Sequence, residues 1–280
     1  MSDMQQTSTV ASDSSAREYA GGKMLSARRE GIGIVTFNQP QKHNAVSVDM
    51  WGGLAEILGE FATDDSIRVV VLTGAGGRAF VSGADISQFD QQRNNADAQR
   101  AYDRQTSVGR EKLSSFPKPT IAMIRGYCLG GGLAIAMQTD LRIASPESQF
   151  GIPAAKLGIA YGLEGLRNLV SLVGPAHARM IMYTGERFGA AEALRIGLIN
   201  RVVASGELEN HVFELAQTIA SNAPLSVAAS RLTITQLLTD PQERDVDAVV
   251  RASAVCFDSE DYREGRAAFL EKRKPQFKGR

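Results

Sequence analysis

Phe116 to Met137 reads FPKPTIAMIRGYCLGGGLAIAM, and its glycines are the residues of this chain most clearly spaced for chemistry. Pro117 and Pro119 break any preceding helix. Thr120 to Arg125 is a short apolar run of the kind a buried strand makes. Gly126 and the triplet Gly130-Gly131-Gly132 then open a helix of small apolar residues. The first N–H groups of a helix have no partner inside it and carry partial positive charge. Such an end holds an anion, or an oxygen that becomes one during a reaction. The phosphate-loop and dinucleotide spacings are both absent, since no Lys-Ser or Lys-Thr follows the glycines. An oxygen of another kind is expected there.

Around that turn the chain alternates strands and helices. Gly31 to Phe37 and Ile67 to Thr73 read as strands, the second apolar enough to be covered on both faces. Between them, Ser47 is expected to cap a helix carrying Met50, Leu54, Ile57, Leu58 and Phe61 on one face. Arg78 to Ile86 begins as a short strand, and 87–115 is polar and mostly helical. Further strands are expected at 140–144, near 186–188 and at 199–203, a short extended piece starts at Ser148-Gln149-Phe150-Gly151, and helices are expected at 164–173, 175–183 and 190–196. This order predicts right-handed crossovers and a parallel sheet. From about 206 only helices are expected, over 207–222, 224–239, 242–257 and 260–273. The reading is an α/β core over 23–205, a helical region over 206–280, and a disordered tail over 1–22.

Composition narrows the partners. Lys+Arg and Asp+Glu number 31 each, so the net charge is zero, which speaks against nucleic acid as the main partner. No run approaches about 18 apolar residues, so no membrane span is expected. Cys128 and Cys256 form no framework, and His43, His177 and His211 are scattered, so no metal is expected and both thiols read as reduced, as in a cytoplasmic protein.

Several signatures then converge in order: Asn38-Gln39-Pro40 with Asn44-Ala45, Phe80 to Ile86 (FVSGADI), Gly126 to Gly132, Phe150-Gly151, Ala190 to Ala193 with Gly197-Leu198-Ile199, and Phe269 to Arg273. Together they resemble the crotonase (enoyl-CoA hydratase/isomerase) superfamily over residues 23–280. The resemblance implies a ββα spiral whose C-terminal helices build trimers or dimers of trimers. It implies an acyl-CoA substrate, with coenzyme A as part of that substrate and no separate cofactor. It also implies an oxyanion hole made by the backbone N–H groups of Ala84 and Gly131. Lys42 and His43 fall where the family lays the nucleotide. Backbone at Ala45 and Ser82 is expected along the adenine and pantetheine. Asp85 is expected to support that loop as an N-cap, and Phe269 and Lys272 to reach the CoA of a neighbouring subunit.

The chain departs from the hydratase pattern at two positions. Hydratases of the family move protons with two glutamates, and the matching residues here are Ala134 and Ala154. Alanine carries no proton, so hydration loses its acid–base pair. Leu157 to Gly162 with Tyr161 looks most like the methylmalonyl-CoA decarboxylase branch, although that branch carries histidine at the position of Ala84. Loss of CO₂ from a malonyl-type thioester forms the enolate with no base, and a phenol at Tyr161 would orient the carboxylate. The expected activity is therefore an acyl-CoA lyase of decarboxylase type. A hydratase or isomerase with its acid–base function moved to Glu164 is the second reading, and an acyl-CoA-binding protein without catalysis is the third.

Overall fold

The computed structural model describes residues 16–85 and 95–280. The N-terminal expectation changes at once. Arg17–Tyr19 is strand β1, paired antiparallel with β2 (Met24–Arg29). The tail assigned to 1–22 therefore does not include these residues, because Tyr19 is buried and its hydroxyl donates to Glu60 Oε1 at 3.0 Å. The first fifteen residues, and Ile86 with the start of the polar segment, lie outside the described residues.

Strand β2 turns back antiparallel into β3 (Ile32–Phe37), and parallel pairing follows through β4 (Val69–Gly74), β6 (Thr120–Ile124), β8 (Leu141–Ala144) and β11 (Arg201–Val202). These make a seven-stranded sheet in the order β1-β2-β3-β4-β6-β8-β11. Side chains alternate across a strand, and the burial follows that rule. Ile32, Ile34, Val69, Val71, Ile121 and Ile143 pack on one face beneath Leu208 and Val212. Val35, Phe37, Val70, Leu72, Ala122 and Ala144 face the other core, which holds Leu54, Ile57 and Leu58. The former pair lies on α6 (Leu208–Ser221), the latter residues on α1 (Val48–Thr63). Both faces are covered, as the continuous apolar run at 67–73 requires.

Ser47 does occupy the N-cap of α1, but its hydroxyl bonds to the Asp49 carboxylate and caps no backbone N–H. Helix α2 covers Ala96–Ser114, α3 Gly131–Gln138, α4 Leu163–Thr184 and α5 Ala190–Arg195. In α4, Gly174 (φ 72°, ψ 165°) with Pro175 divides two helical stretches, as expected from 164–173 and 175–183. The C-terminal helices are α7 (Pro224–Leu238), α8 (Val246–Asp258) and α9 (Glu260–Glu271). The helix expected over 242–257 starts later. Pro241–Glu243 is a 3₁₀ turn, and Asp245 caps α8 by accepting from Ala248 N at 2.8 Å.

The short strands expected from 78, at 148–151 and near 186–188 join with Tyr127–Leu129 into a second sheet rather than extending the first. Strands β5 (Ala79–Val81), β7 (Tyr127–Leu129) and β9 (Gln149–Gly151) run parallel, and β10 (Phe188–Gly189) closes the edge antiparallel to β9. Gly126 carries the chain from β6 in the large sheet to β7 in the small one. Its φ is +61°, and a Cβ there would stand 1.9 Å from Arg78 O, so only glycine fits this crossing.

Candidate active site

The small sheet delivers two loops to one place. After β5, Ser82 N–H donates to His43 O at 3.1 Å, Val46 N–H to Gly83 O at 2.8 Å and Asp85 N–H to Val46 O at 3.0 Å. The last two bonds form an isolated parallel bridge between Val46 and Ala84. In a parallel bridge the partner bonds to the residues flanking Ala84, so the N–H of Ala84 itself points the other way. After β7, Gly130 (φ 50°, ψ −116°) turns the chain into α3, whose first residue is Gly131. As the first helical residue, Gly131 has an N–H with no intrahelical acceptor. Neither Ala84 nor Gly131 donates to a backbone carbonyl of the described residues.

These two donors border one space. A Cβ built on Gly131 would lie 3.6 Å from Ala84 N and 3.7 Å from the carbonyl carbon of Gly83. The next residue explains how closely the loops are held, since a Cβ on Gly132 would come within 2.0 Å of Val81 O. The helix N-terminus thus rests directly on the end of β5. Arg142 anchors the other end of α3. Its guanidinium is buried and donates to Thr139 O at 2.5 Å and to Leu198 O at 2.7 Å. Burial pushes its pKa down to about 10. Cys128, on β7 beneath the turn, is fully buried, and burial pushes its thiol well above the ordinary range. That thiol is a packing group, since the thiolate is the reactive form.

The loop after β3 is tied to the same place. Lys42 Nζ meets Asp85 Oδ2 at 2.8 Å, and the Asp85 side chain is nearly buried while Lys42 is half-exposed. This ion pair joins the expected nucleotide loop to the residue next to Ala84. It gives Asp85 a role that local sequence did not show, while any cap it offers to the following segment lies outside the described residues. His43 (φ 51°) sets its ring edge-to-face against Tyr127 at 5.8 Å. Ala45 N–H donates to Lys42 O at 3.1 Å. The amide hydrogens of Ala45 and Ser82 are therefore engaged, and the Ala45 carbonyl also accepts from Gln39 Nε2 at 3.1 Å.

Asn44, in sequence no more than the first half of an Asn-Ala pair, organises this loop. It is completely buried in the left-handed conformation, φ 56°. Its Nδ2 donates to Ala75 O at 3.0 Å and Ala79 O at 2.8 Å, and its Oδ1 accepts from Gln39 N. Asparagine tolerates that φ and bonds to nearby backbone. The Asn-Ala pair following a proline turn was the available signal.

Other expected residues stand further back. Ala134 is half-buried one turn after Gly131, and Ala154 is buried in the 3₁₀ turn Pro153–Leu157. Tyr161 is half-buried against the main core, with its ring beside Gly165. Glu164 is exposed in the first turn of α4, a place the helix dipole favours for an acid. Phe269 and Lys272 are exposed near the end of α9. Phe269 lines a 540 Å³ cavity among the C-terminal helices, and none of that cavity's lining belongs to the glycine turn. Within one chain these two residues are not brought to Ala84 and Gly131. Among the described residues, no three His, Cys, Asp or Glu side chains gather as a metal site.

The profile of the enoyl-CoA hydratase/isomerase family matches residues 27–280. The chain belongs to this family. It is 39% identical over 258 residues to the short-chain-enoyl-CoA hydratase of Clostridium acetobutylicum, covering 90% of this chain and 97% of that protein. It is 37% identical over 248 residues to the (E)-benzylidenesuccinyl-CoA hydratase of Thauera aromatica, covering 89% and 96%. The fold agrees with the crystal structure of an enoyl-CoA hydratase/carnithine racemase from Magnetospirillum magneticum, with a TM-score of 0.88, 36% identity, and coverage of 92% and 96%. The chain is thus an acyl-CoA enzyme of the enoyl-CoA hydratase/isomerase family. The ββα architecture expected from the resemblance is the one the chain adopts.

Proposed function

We propose that this enzyme binds a malonyl-type acyl-CoA with its thioester oxygen between the N–H groups of Ala84 and Gly131 and releases CO₂. One observation carries the reading. Two open backbone donors border one space, while Ala134 and Ala154 stand where the family's hydratases place proton-moving carboxylates. When the C–CO₂ bond breaks, its electron pair passes to the α-carbon and is delocalised onto the thioester oxygen. The two donors stabilise that enolate more than the neutral carbonyl. Each such donor is worth roughly 10²–10³ in rate. A proton from water then completes the α-carbon. Tyr161 is assigned the orientation of the departing carboxylate, and Lys42, held by Asp85, meets the nucleotide end of CoA. The enzyme is placed in the cytoplasm, in keeping with its two unpaired cysteines.

The test is turnover of malonyl-, methylmalonyl- and crotonyl-CoA, followed by CO₂ release and by the absorbance of the double bond. Decarboxylation is the expected result, and Tyr161→Phe lowers it about tenfold, a typical share for an orienting hydrogen bond. Hydration of crotonyl-CoA at an enzymic rate overturns the proposal. A second reading, an enoyl-CoA hydratase using Glu164, is favoured by the names of the relatives above. Glu164→Gln then abolishes hydration. Tight binding of all three esters without turnover marks a protein that only binds them.

The C-terminal helices are assigned to self-association as a trimer or a dimer of trimers. Neither α7 nor α8 buries a single residue within the chain, yet Ile234, Leu237, Leu238, Val250 and Phe257 are all exposed. Large apolar side chains exposed on two helices that bury nothing themselves support an interface.

A further inference from the structure

The N–H of Ala84 belongs to the peptide group whose other end is the carbonyl of Gly83. The plane of that peptide sets where the donor aims, and local stereochemistry does little to hold it. Gly83 adopts φ +128°, a region that residues with side chains rarely enter and that glycine enters and leaves at little cost. The direction of the donor is therefore set by contacts from outside the loop. Val46 N–H donates to Gly83 O at 2.8 Å, and Asp85 N–H donates to Val46 O at 3.0 Å. One residue earlier, Ser82 N–H donates to His43 O at 3.1 Å. All three contacts come from the stretch that follows β3, so the aim of Ala84 depends on where residues 42–46 stand.

That stretch needs fixing itself. The 3₁₀ turn Pro40–Lys42 runs into His43 (φ 51°) and Asn44 (φ 56°), two left-handed residues in succession. Residues other than glycine hold that conformation only where the surroundings impose it. Asn44 supplies the buried side of the restraint through Ala75 O and Ala79 O. On the outer side, Lys42 Nζ meets Asp85 Oδ2 at 2.8 Å. The ion pair closes a ring, because Asp85 is joined to the stretch at Val46 by its backbone and at Lys42 by its side chain. Ala84 is the residue beside that closure. The Lys42 side chain is 48% exposed and that of Asp85 9%. A pair open to water on one side adds little to overall stability, but it fixes a position where a reacting group needs one.

We infer that Lys42 and Asp85 are positioning residues for the thioester oxygen, their ion pair holding the Gly83–Ala84 peptide with its N–H aimed into the space shared with Gly131. The inference rests on the acyl-CoA reading above and gives Lys42 a role that does not pass through the nucleotide. An ammonium has three donors and Asp85 takes one, so both roles are open to it. The test removes the nucleotide from the ligand. Butyryl-CoA and S-butyryl-pantetheine, each carrying carbon-13 at the thioester carbonyl, are bound at saturation to the full chain and to its Lys42→Met, Lys42→Arg and Asp85→Asn variants. Infrared difference spectroscopy follows the carbonyl band. Aligned N–H donors lower its frequency, and a tilted donor lowers it less. The expected result is a lowered band for both esters in the wild type and in Lys42→Arg, which keeps the pair. In Lys42→Met and Asp85→Asn the band of both esters returns part of the way to its solution position. A loss of affinity for butyryl-CoA in Lys42→Met with the band unmoved makes Lys42 a nucleotide contact and overturns the inference. A band that moves for butyryl-CoA but not for the pantetheine ester overturns it as well. If only butyryl-CoA binds, an unmoved band in Asp85→Asn is the overturning result. A wild-type band at its solution position for a bound ester removes the donor pair itself, and failure of both esters to bind removes the acyl-CoA reading. A variant that does not fold is recognised by its lost circular dichroism, and Asp85→Asn, which keeps the shape of the side chain, then decides.

Discussion

Gly131 and Gly132 are adjacent glycines with different reasons for being glycine. A methyl on Gly131 has room, since its nearest neighbour would be Ala84 N at 3.6 Å. It would stand at the mouth of the donor pair, where the thioester oxygen must come. Alanine is also a better helix residue by up to about 1 kcal/mol. Gly131→Ala is therefore expected to keep or raise the melting temperature while lowering turnover at least about tenfold. Gly132→Ala has no such freedom, because its Cβ would meet Val81 O at 2.0 Å. That variant is expected to lose about 3 kcal/mol or more, on the scale of strong overpacking. Chemical denaturation of both variants beside an activity assay checks the contrast. Equal loss of stability in the two would remove the donor-pair interpretation of Gly131.

At the scale of elements, the loop after β3 and the C-terminal tail are held by polar contacts rather than by apolar burial. Asn44 satisfies Ala75 O, Ala79 O and Gln39 N from a fully buried position. Asn44→Ala strands those groups, at about 1–3 kcal/mol for each one left unpaired. The expected outcome is a destabilisation of about 3 kcal/mol, with weakened CoA binding as the Lys42 loop loosens. Denaturation and calorimetry measure the two effects. The tail shows the acid side of the same physics. Glu264 pairs with Arg273 through both carboxylate oxygens, at 2.6 and 2.9 Å, and accepts from Gln276 N at 2.8 Å. The Arg273 bonds first, then the backbone bond, hold its pKa at about 2 against an ordinary 4.5. A lowered folded pKa stabilises the charged form, so this contribution is complete above the ordinary value and fades as pH falls toward the folded one. The melting-temperature gap between wild type and Glu264→Gln should be widest near neutrality and close between those two pH values. A gap that is independent of pH would contradict the pairing.

For the whole molecule, the contrast between the two halves of the chain is the main feature. The core around the large sheet covers both faces of its strands, whereas α7 and α8 bury no residue and leave Ile234, Leu237, Leu238, Val250 and Phe257 exposed. If those faces meet in a trimer, a charge on them opposes assembly, because burying it unpaired is costly. Leu238→Lys with Val250→Glu is expected to shift sedimentation from the oligomer to the monomer without unfolding the core. A wild-type chain that sediments as a monomer would remove the assignment. In the proposed trimer Phe269 and Lys272 are expected to reach a neighbour's CoA, so the same double variant is expected to weaken CoA binding as well.

The amino-acid sequence by itself determined the periodic parts of this protein. Strands β3, β4, β6 and β8, the break at Gly174-Pro175 and the C-terminal helices were legible because they span enough residues to show an apolar run or a period of 3.6, whereas β1 fell in the assigned tail and β2 was not read as a strand. The absent carboxylates at Ala134 and Ala154 were also plain, although their meaning came through family resemblance. In the small sheet the short strands from 78, at 148–151 and near 186–188 were legible, but β7 and the pairing of all four were not, since three residues show no period and the partners are far apart in the chain. Hence only the tertiary structure decided that β7 separates from β6 at Gly126 and that Lys42 reaches Asp85. The glycine turn shows the division most clearly. Local sequence made it a helix mouth with free N–H groups, and the contact of Gly132 with Val81 O brought it against Ala84. Spacing along a chain predicts which groups are available, whereas long-range backbone contact decides which of them face each other.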